Sequence, residues 1–218
     1  MIESFVIALP SGAEVAGERD LQDSFLGSVI LLHDEEHDLD QMRPIATALR
    51  AAGFDVIMID LPGHGLSSGT VEVDGPEVIG ALLKGLPDGS VCSVVAEGAS
   101  ADLILGSSSA AALTAFVLLS PRSRIAPQAY AEAPSRFIPS LVLLDPRDEA
   151  ASHVTEMLRA HARATWGRIF AHRDARSDSG AELWQVRAAE SSARFLAEKA
   201  SFARHRRGSH ARSKRDDS

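Results

Sequence analysis

A strand-to-helix turn in the middle of the chain is where the sequence could support nucleophilic chemistry. Residues 90–102 read SVCSVVAEGASAD, an apolar run followed by small residues and then by the first apolar residues of a helix. A serine at the apex of such a sharp turn stands above the sheet and can attack an acyl group. Here the centre of the turn falls on Gly98, which has no side chain. The sequence therefore predicts the turn without its nucleophile.

A second alignment of the same turn keeps a serine at the apex. In that alignment Ser100 is the nucleophile, with His172 as its base and Asp148 as its acid. It would place Glu97 within the end of the strand and Asp102 where helix and strand approach each other closely, a position that favours a small residue. The first alignment is favoured for that reason, and the second stays open as an alternative.

Composition and charge limit the classes of protein to consider. The 218 residues are 45% hydrophobic and carry a net charge of −8, which suits one acidic globular domain without a nucleic-acid partner. The only cysteine, Cys92, lies in an apolar run, so we expect an inert buried thiol and a cytoplasmic protein. The amino terminus lacks the pattern of a secretory leader. No apolar run approaches the ~20 residues of a membrane span.

The last stretch of the chain differs from the rest in charge. Residues 201–218 contain six basic and two acidic residues, a net charge of +4, which leaves −12 on residues 1–200. This stretch also lacks periodic apolar residues, so a disordered tail is predicted. It is either a solvated terminus or a weak contact for an anionic surface. The sequence thus predicts a single domain over 1–200 and a basic tail over 201–218.

The elements that must position the turn alternate between strands and helices. Apolar runs predict strands at 28–33, 54–60, 91–95, 115–120, 140–145 and 166–171. Apolar residues at helical spacing predict helices at 39–52, 78–86, 150–164 and 183–200. Residues 1–21 read as a hairpin that turns at 10–12. This alternation predicts an α/β fold, with a mostly parallel doubly wound sheet of about eight strands, an N-terminal antiparallel hairpin and no lid domain.

Three motifs, taken in order, resemble those of the α/β-hydrolase fold, in the small lidless branch that includes dienelactone-hydrolase-like and lysophospholipase-like esterases. They are HDEEHD at 33–38, DLPGHGLSSG at 60–69 and AEGASADLIL at 96–105. The resemblance covers about residues 20–200. It implies a serine nucleophile, a histidine base, an acid, and an oxyanion hole made of two backbone N–H groups.

The resemblance places these catalytic positions on a degenerate set of residues. The nucleophile falls on Gly98, the acid on Asp148 and the base on Ser179. The oxyanion-hole donors fall on the backbone N–H groups of Glu35 and Ala99. The acidic side chains around 34–36 would oppose the anion that such a hole stabilises. Only the acid is retained, and an aspartate there could equally cap the helix predicted after it.

These substitutions predict a protein without catalysis. Enzymes stripped of their triad keep only about 10³–10⁴-fold acceleration over water, well below the roughly 10⁶-fold expected of a working enzyme. We therefore expect a pseudoenzyme that binds a small-molecule ligand or a protein partner. The alternatives are an active carboxylic or thio ester hydrolase that uses Ser100, and a structural subunit that pairs with an active homologue. A homo- or hetero-oligomer is possible, and no cofactor is expected. A metal site at 33–38 would need a helix, which a strand end does not provide.

Overall fold

The structure is a computed structural model, which describes residues 2–22, 26–87, 90–122, 138–144, 156, 169–173 and 181–216. Its strands are β1 (Ile2–Ala8), β2 (Glu14–Asp20), β3 (Ser28–Leu32), β4 (Asp55–Ile59), β5 (Cys92–Glu97), β6 (Ala115–Leu119), β7 (Ser140–Leu144) and β8 (Ile169–Arg173). Its α-helices are α1 (Arg43–Ala51), α2 (Val71–Lys84), α3 (Ala101–Leu105) and α4 (Ala181–Asp216). Short 3₁₀ helices span Leu39–Met42, Gly98–Ser100 and Ser108–Ala112.

All eight strands form one sheet in the order β1-β2-β4-β3-β5-β6-β7-β8. The β1–β2 and β2–β4 pairs are antiparallel, and the other five pairs are parallel. The hairpin turn contains Gly12 at φ +93°, a left-handed conformation that favours glycine. The predicted fold class, a mostly parallel sheet with an N-terminal antiparallel pair, is confirmed.

Helices cover both faces of the sheet and explain why its central strands read as continuous apolar runs. On one face, α2 and α3 pack against alternate residues of the strands, such as Ile30, Val94 and Leu118. On the other face, α1 and α4 pack against the residues between them, such as Leu31 and Val95. A strand covered on both sides cannot alternate between apolar and polar residues, because both sets of side chains are buried.

Three elements differ from their predicted bounds or lie outside the described residues. The helix α2 begins at Val71 rather than at 78; its first turn alternates valines with acidic residues, and its Asp74 carboxylate accepts a 2.8 Å bond from the Thr70 N–H. The strand predicted at 166–171 is described only from Ile169, and it runs to Arg173. The helix predicted at 150–164 lies outside the described residues except for residue 156, which is helical.

The helix α4 includes most of the stretch for which the sequence predicts a disordered tail. The helix α4 continues to Asp216, although Ala200 is the last of its side chains described as buried, Ala203 packs against the core only partly buried and Phe202 is 65% exposed. Alanine, arginine and lysine are strong helix formers, so the loss of apolar periodicity ends the packing without ending the helix. No helix in the described ranges combines the length and apolarity needed to cross a membrane.

Candidate functional site

The candidate site lies at the carboxyl ends of three adjacent strands, β3, β5 and β6. Parallel strands direct their carboxyl ends to the same edge of a sheet, and the loops there carry the ligand sites of open α/β sheets. The loop after β3 supplies Asp34 and Glu35, the turn after β5 supplies Gly98 and Ala99, and the segment after β6 supplies Arg122.

The turn after β5 is as sharp as the sequence predicts. Gly98 has φ +59°, in the left-handed region, and is followed within three residues by the start of α3 at Ala101. A side chain in this conformation strains the backbone, so glycine is favoured on conformational grounds alone. The apex of the turn is buried rather than open to solvent.

The carboxylate of Asp34 fills the space above Gly98. A Cβ atom built on Gly98 would lie 2.2 Å from both Cγ and Oδ1 of Asp34, and 2.4 Å from Oδ2. Real Cβ atoms do not approach other heavy atoms so closely, so Asp34 and a side chain at position 98 cannot occupy these positions together. Asp34 itself is only 5% exposed.

Both backbone donors that the resemblance assigned to an oxyanion hole bond to this carboxylate. Asp34 Oδ1 accepts a 2.9 Å bond from the Glu35 N–H and a 3.0 Å bond from the Ala99 N–H. Asp34 Oδ2 lies 3.2 Å from Nη1 of Arg122, whose side chain is half-exposed. The donors therefore converge on one anionic oxygen, and the guanidinium balances its charge.

Two histidines hold the loop after β3 in place. His33 is fully buried, and its Nε2 accepts a 2.9 Å bond from the Leu61 N–H. Its Nδ1 must then carry the proton and donate to the Asp34 carbonyl oxygen, 2.6 Å away. Burial lowers the pKa of His33, which agrees with a neutral ring. Nε2 of His64 lies 2.6 Å from the carbonyl oxygen of Glu35, on the same loop. Both imidazoles thus form hydrogen bonds with backbone groups and hold the loop in position.

The alternative nucleophile, Ser100, lies beneath the turn rather than at its apex. Its Oγ is 2.8 Å from the carbonyl oxygen of Glu97 and 3.2 Å from that of Leu32. The side chain is 2% exposed, so its hydroxyl serves buried carbonyl groups at the ends of β3 and β5. The hydroxyl is therefore bonded to two backbone carbonyl groups instead of standing above the sheet.

The strand positions separate the proposed base from this serine. His172 occupies β8 and is in register with Leu143 of β7 and, through β6, with Glu97 at the end of β5. Three strand spacings separate these backbones by about 14 Å. Asp148 and Ser179, predicted as the acid and as the residue at the base position, lie outside the described residues.

Solved structures with the same architecture decide the fold. The chain superimposes on an alpha-beta hydrolase of Vibrio vulnificus with a TM-score of 0.69 and 17% identity, covering 91% of this chain and 81% of that one. The esterase domain of a Rhodothermus marinus protein gives a TM-score of 0.68 at 13% identity, with 91% and 99% covered. An esterase of Pyrococcus furiosus gives 0.67 at 18% identity, with 90% and 92% covered.

This protein has the α/β-hydrolase fold. No family model and no curated protein matches the sequence. At identities this low, the likeness establishes the architecture, and the chemistry of this α/β-hydrolase-fold protein has to be argued from its own residues.

Glu97 adds a titratable group to the site of this α/β-hydrolase-fold protein. Burial raises the pKa of its carboxyl to about 7, with the negative charge of Asp34 acting in the same direction and the positive charge of Arg122 opposing both effects. The site thus holds a carboxyl group that exchanges its proton near neutral pH. No group of three His, Cys, Asp or Glu side chains within the described ranges is arranged to hold a metal ion.

Sequence reasoning missed Asp34 as the occupant of the turn, and it also missed Arg122. The signal for Asp34 was present in the sequence: the nucleophile position implied by the resemblance holds Gly98, which has no side chain, and an acidic residue, Asp34, directly precedes the implied donor Glu35. No signal marked Arg122, because it lies just beyond β6 in a segment without periodicity.

Proposed function

We propose that this protein is a non-catalytic α/β-hydrolase homologue that acts by binding a small molecule or a protein partner. The observation that carries the proposal is the position of the Asp34 carboxylate. It occupies the volume above Gly98 and accepts from both backbone N–H groups that would otherwise stabilise an oxyanion.

Acyl transfer needs a nucleophilic oxygen, a base and vacant donors around one carbonyl group. In this arrangement the first is missing, because Gly98 has no side chain. The donors are also taken, so an ester carbonyl would have to displace a buried, ion-paired carboxylate. The loss of a single oxyanion donor reduces kcat by about 10²–10³-fold in a working enzyme. Here both donors are occupied by a carboxylate, whose negative charge would also repel an oxyanion.

The proposal favours binding over the alternative of an active ester hydrolase. That alternative needs the Ser100 hydroxyl to leave two buried carbonyl groups and to meet an imidazole from a strand about 14 Å away. The third possibility, a structural subunit paired with an active homologue, is a form of partner binding and shares the same inactive site. We propose a cytoplasmic setting for all three, because the single cysteine, Cys92, allows no internal disulfide.

A covalent serine probe separates these possibilities. We expect no labelling of the wild-type protein by a fluorophosphonate, and no hydrolysis of an activated ester above that of a denatured sample. We also expect none for Gly98→Ser, because the new hydroxyl would overlap the Asp34 carboxylate and the donors would stay occupied. Labelling and turnover of each sample are measured beside a known serine esterase. Stoichiometric labelling that disappears in Ser100→Ala would reverse the proposal.

A further inference from the structure

The strand β1 lies at one end of the sheet, and β2 is its only strand partner in the described part of the chain. The Leu9 N–H donates a 2.8 Å bond to the Ala13 carbonyl at the hairpin turn. In an antiparallel ladder, hydrogen-bonded residue pairs alternate with pairs that are not hydrogen-bonded. Because Leu9 is hydrogen-bonded to the returning strand, the odd-numbered residues of β1 direct their backbone polar groups toward β2. The backbone groups of the even-numbered residues therefore point away from the sheet, and these residues are Ile2, Ser4, Val6 and Ala8.

The side chains of this strand also divide between two environments. Phe5 and Ile7 pack against the core on one face. Ile2 and Val6 point to the other face, where Ile2 lines a groove that reaches α1, and they are 55% and 61% exposed. The outer edge thus combines outward-pointing backbone groups with two exposed apolar side chains.

Natural sheets protect such an edge, and β1 lacks most of the usual protection. Prolines, lysines, inward-pointing charges and β-bulges are the common devices. The seven residues IESFVIA contain no proline and no lysine, and their one charged residue is Glu3, which lies on the face of Phe5 and Ile7 but is exposed. The pairing with β2 runs one to one, from Ile2 with Asp20 to Ala8 with Glu14, without a bulge. The edge is therefore competent to accept another strand.

We propose that this edge pairs with the same edge of a second copy of the chain, in an antiparallel ladder centred on Ser4. In this two-fold register, the outward-facing Ser4 residues of the two copies lie opposite each other. Ile2 lies opposite Val6 of the second copy, and Val6 opposite Ile2, so each exposed apolar side chain gains an apolar neighbour across the strands. A two-fold register centred on Phe5 would instead place Val6 opposite Ser4.

The distribution of charge along β1 supports a second copy of the chain as the partner of this edge. Like charges directly opposite destabilise a ladder, and in this register Glu3 faces Phe5 of the other copy rather than another Glu3. The neighbouring groove is balanced as well, since each of its three arginines pairs with a carboxylate of the same chain. The pairs are Arg19–Asp55, Arg43–Glu18 and Arg50–Asp20. The net negative charge of the domain is thus compensated locally where the two copies meet.

A single engineered cysteine tests both the dimer and its register. Ser4→Cys would place two thiols on hydrogen-bonded partners about 5.5 Å apart between Cα atoms, within the range of a disulfide. Cross-linking through the native cysteine should be slight, because Cys92 is the only one, it is buried, and its burial raises the pKa of the thiol to about 12. We expect mild oxidation to convert most of the Ser4→Cys protein to a covalent dimer.

The matched control is Val6→Cys, on the same edge. In the proposed register the two thiols introduced at position 6 would lie on backbones about 14 Å apart, so little cross-linking is expected. Efficient cross-linking of Val6→Cys, or none of Ser4→Cys, would overturn the register.

The native assembly is measured by sedimentation of the protein without added cysteines. We expect a concentration-dependent dimer, and Val6→Lys should raise its dissociation constant by at least about tenfold, because lysine protects an edge strand. Val186→Lys, at an exposed valine of α4, should leave the constant unchanged. A wild-type protein that sediments as a monomer throughout the micromolar range, or equal effects of the two lysines, would overturn the dimer.

Discussion

Replacing Gly98 with alanine is expected to lower the free energy of unfolding by about 3 kcal/mol or more. The left-handed backbone contributes about 1 kcal/mol of this. The larger part comes from Asp34, whose carboxylate lies 2.2 Å from the position of the new Cβ. If the carboxylate moves away, the backbone N–H groups of Glu35 and Ala99 lose this acceptor, and each buried unsatisfied group costs about 1–3 kcal/mol.

A second glycine of the chain isolates the effect of the carboxylate. Gly12 has φ +93°, but no heavy atom lies within 4 Å of a Cβ built on it. Gly12→Ala should therefore show only the conformational part, about 1 kcal/mol. Denaturant unfolding of both variants gives the difference. In the Asp34→Gly background, Gly98→Ala should lose most of its excess effect, since the two positions are in contact. Equal effects at Gly12 and Gly98 would show that Asp34 does not fill the turn.

Replacing Glu97 with glutamine is expected to stabilise the protein at about pH 8 by roughly 1–3 kcal/mol, and to change little at about pH 5. The pKa of this carboxyl is about 7 in the folded protein, against 4.5 for an unperturbed glutamate. The folded state thus binds the proton more tightly, so the wild type loses stability as pH rises from 4.5 through 7. Each pKa unit corresponds to about 1.4 kcal/mol, and partial solvent access reduces the total.

The measurement for Glu97 is denaturant unfolding of variant and wild type across this pH range. Glu190→Gln, on an exposed part of α4, is the matched control for the removal of one surface carboxylate. A Glu97→Gln difference that does not change with pH would show that this carboxyl is not held protonated by its surroundings.

Most of the fold could be predicted from the sequence, because a strand that is buried on both faces appears as a continuous apolar run. The runs SVILL and AFVLL are buried at every position because helices cover both sides of β3 and β6. The sharp turn at Gly98 was also predictable, since small residues surround it. The start of α2 was missed because Val71 and Val73 are spaced two residues apart, as in a strand, and because Gly75 and Pro76 follow them.

The arrangement of the site was less predictable because it joins segments that are far apart in the chain. Asp34 is 65 residues from Ala99 and 88 residues from Arg122. Acidic residues near the turn led us to expect repulsion of a bound anion. Composition could not show that the side chain of Asp34 is itself the anion that occupies the donors. Only the placement of three loops at one sheet edge reveals it.

The interlocking of Gly98 and Asp34 makes the order of any further substitutions matter. A serine introduced first at position 98 collides with the carboxylate. A glycine introduced first at position 34 removes the carboxylate to which two backbone N–H groups and a guanidinium are bonded. Each single step passes through a less stable molecule, and only the pair together would reopen the turn. Under the proposed function, a serine nucleophile therefore cannot be introduced at this turn by a single substitution without a loss of stability.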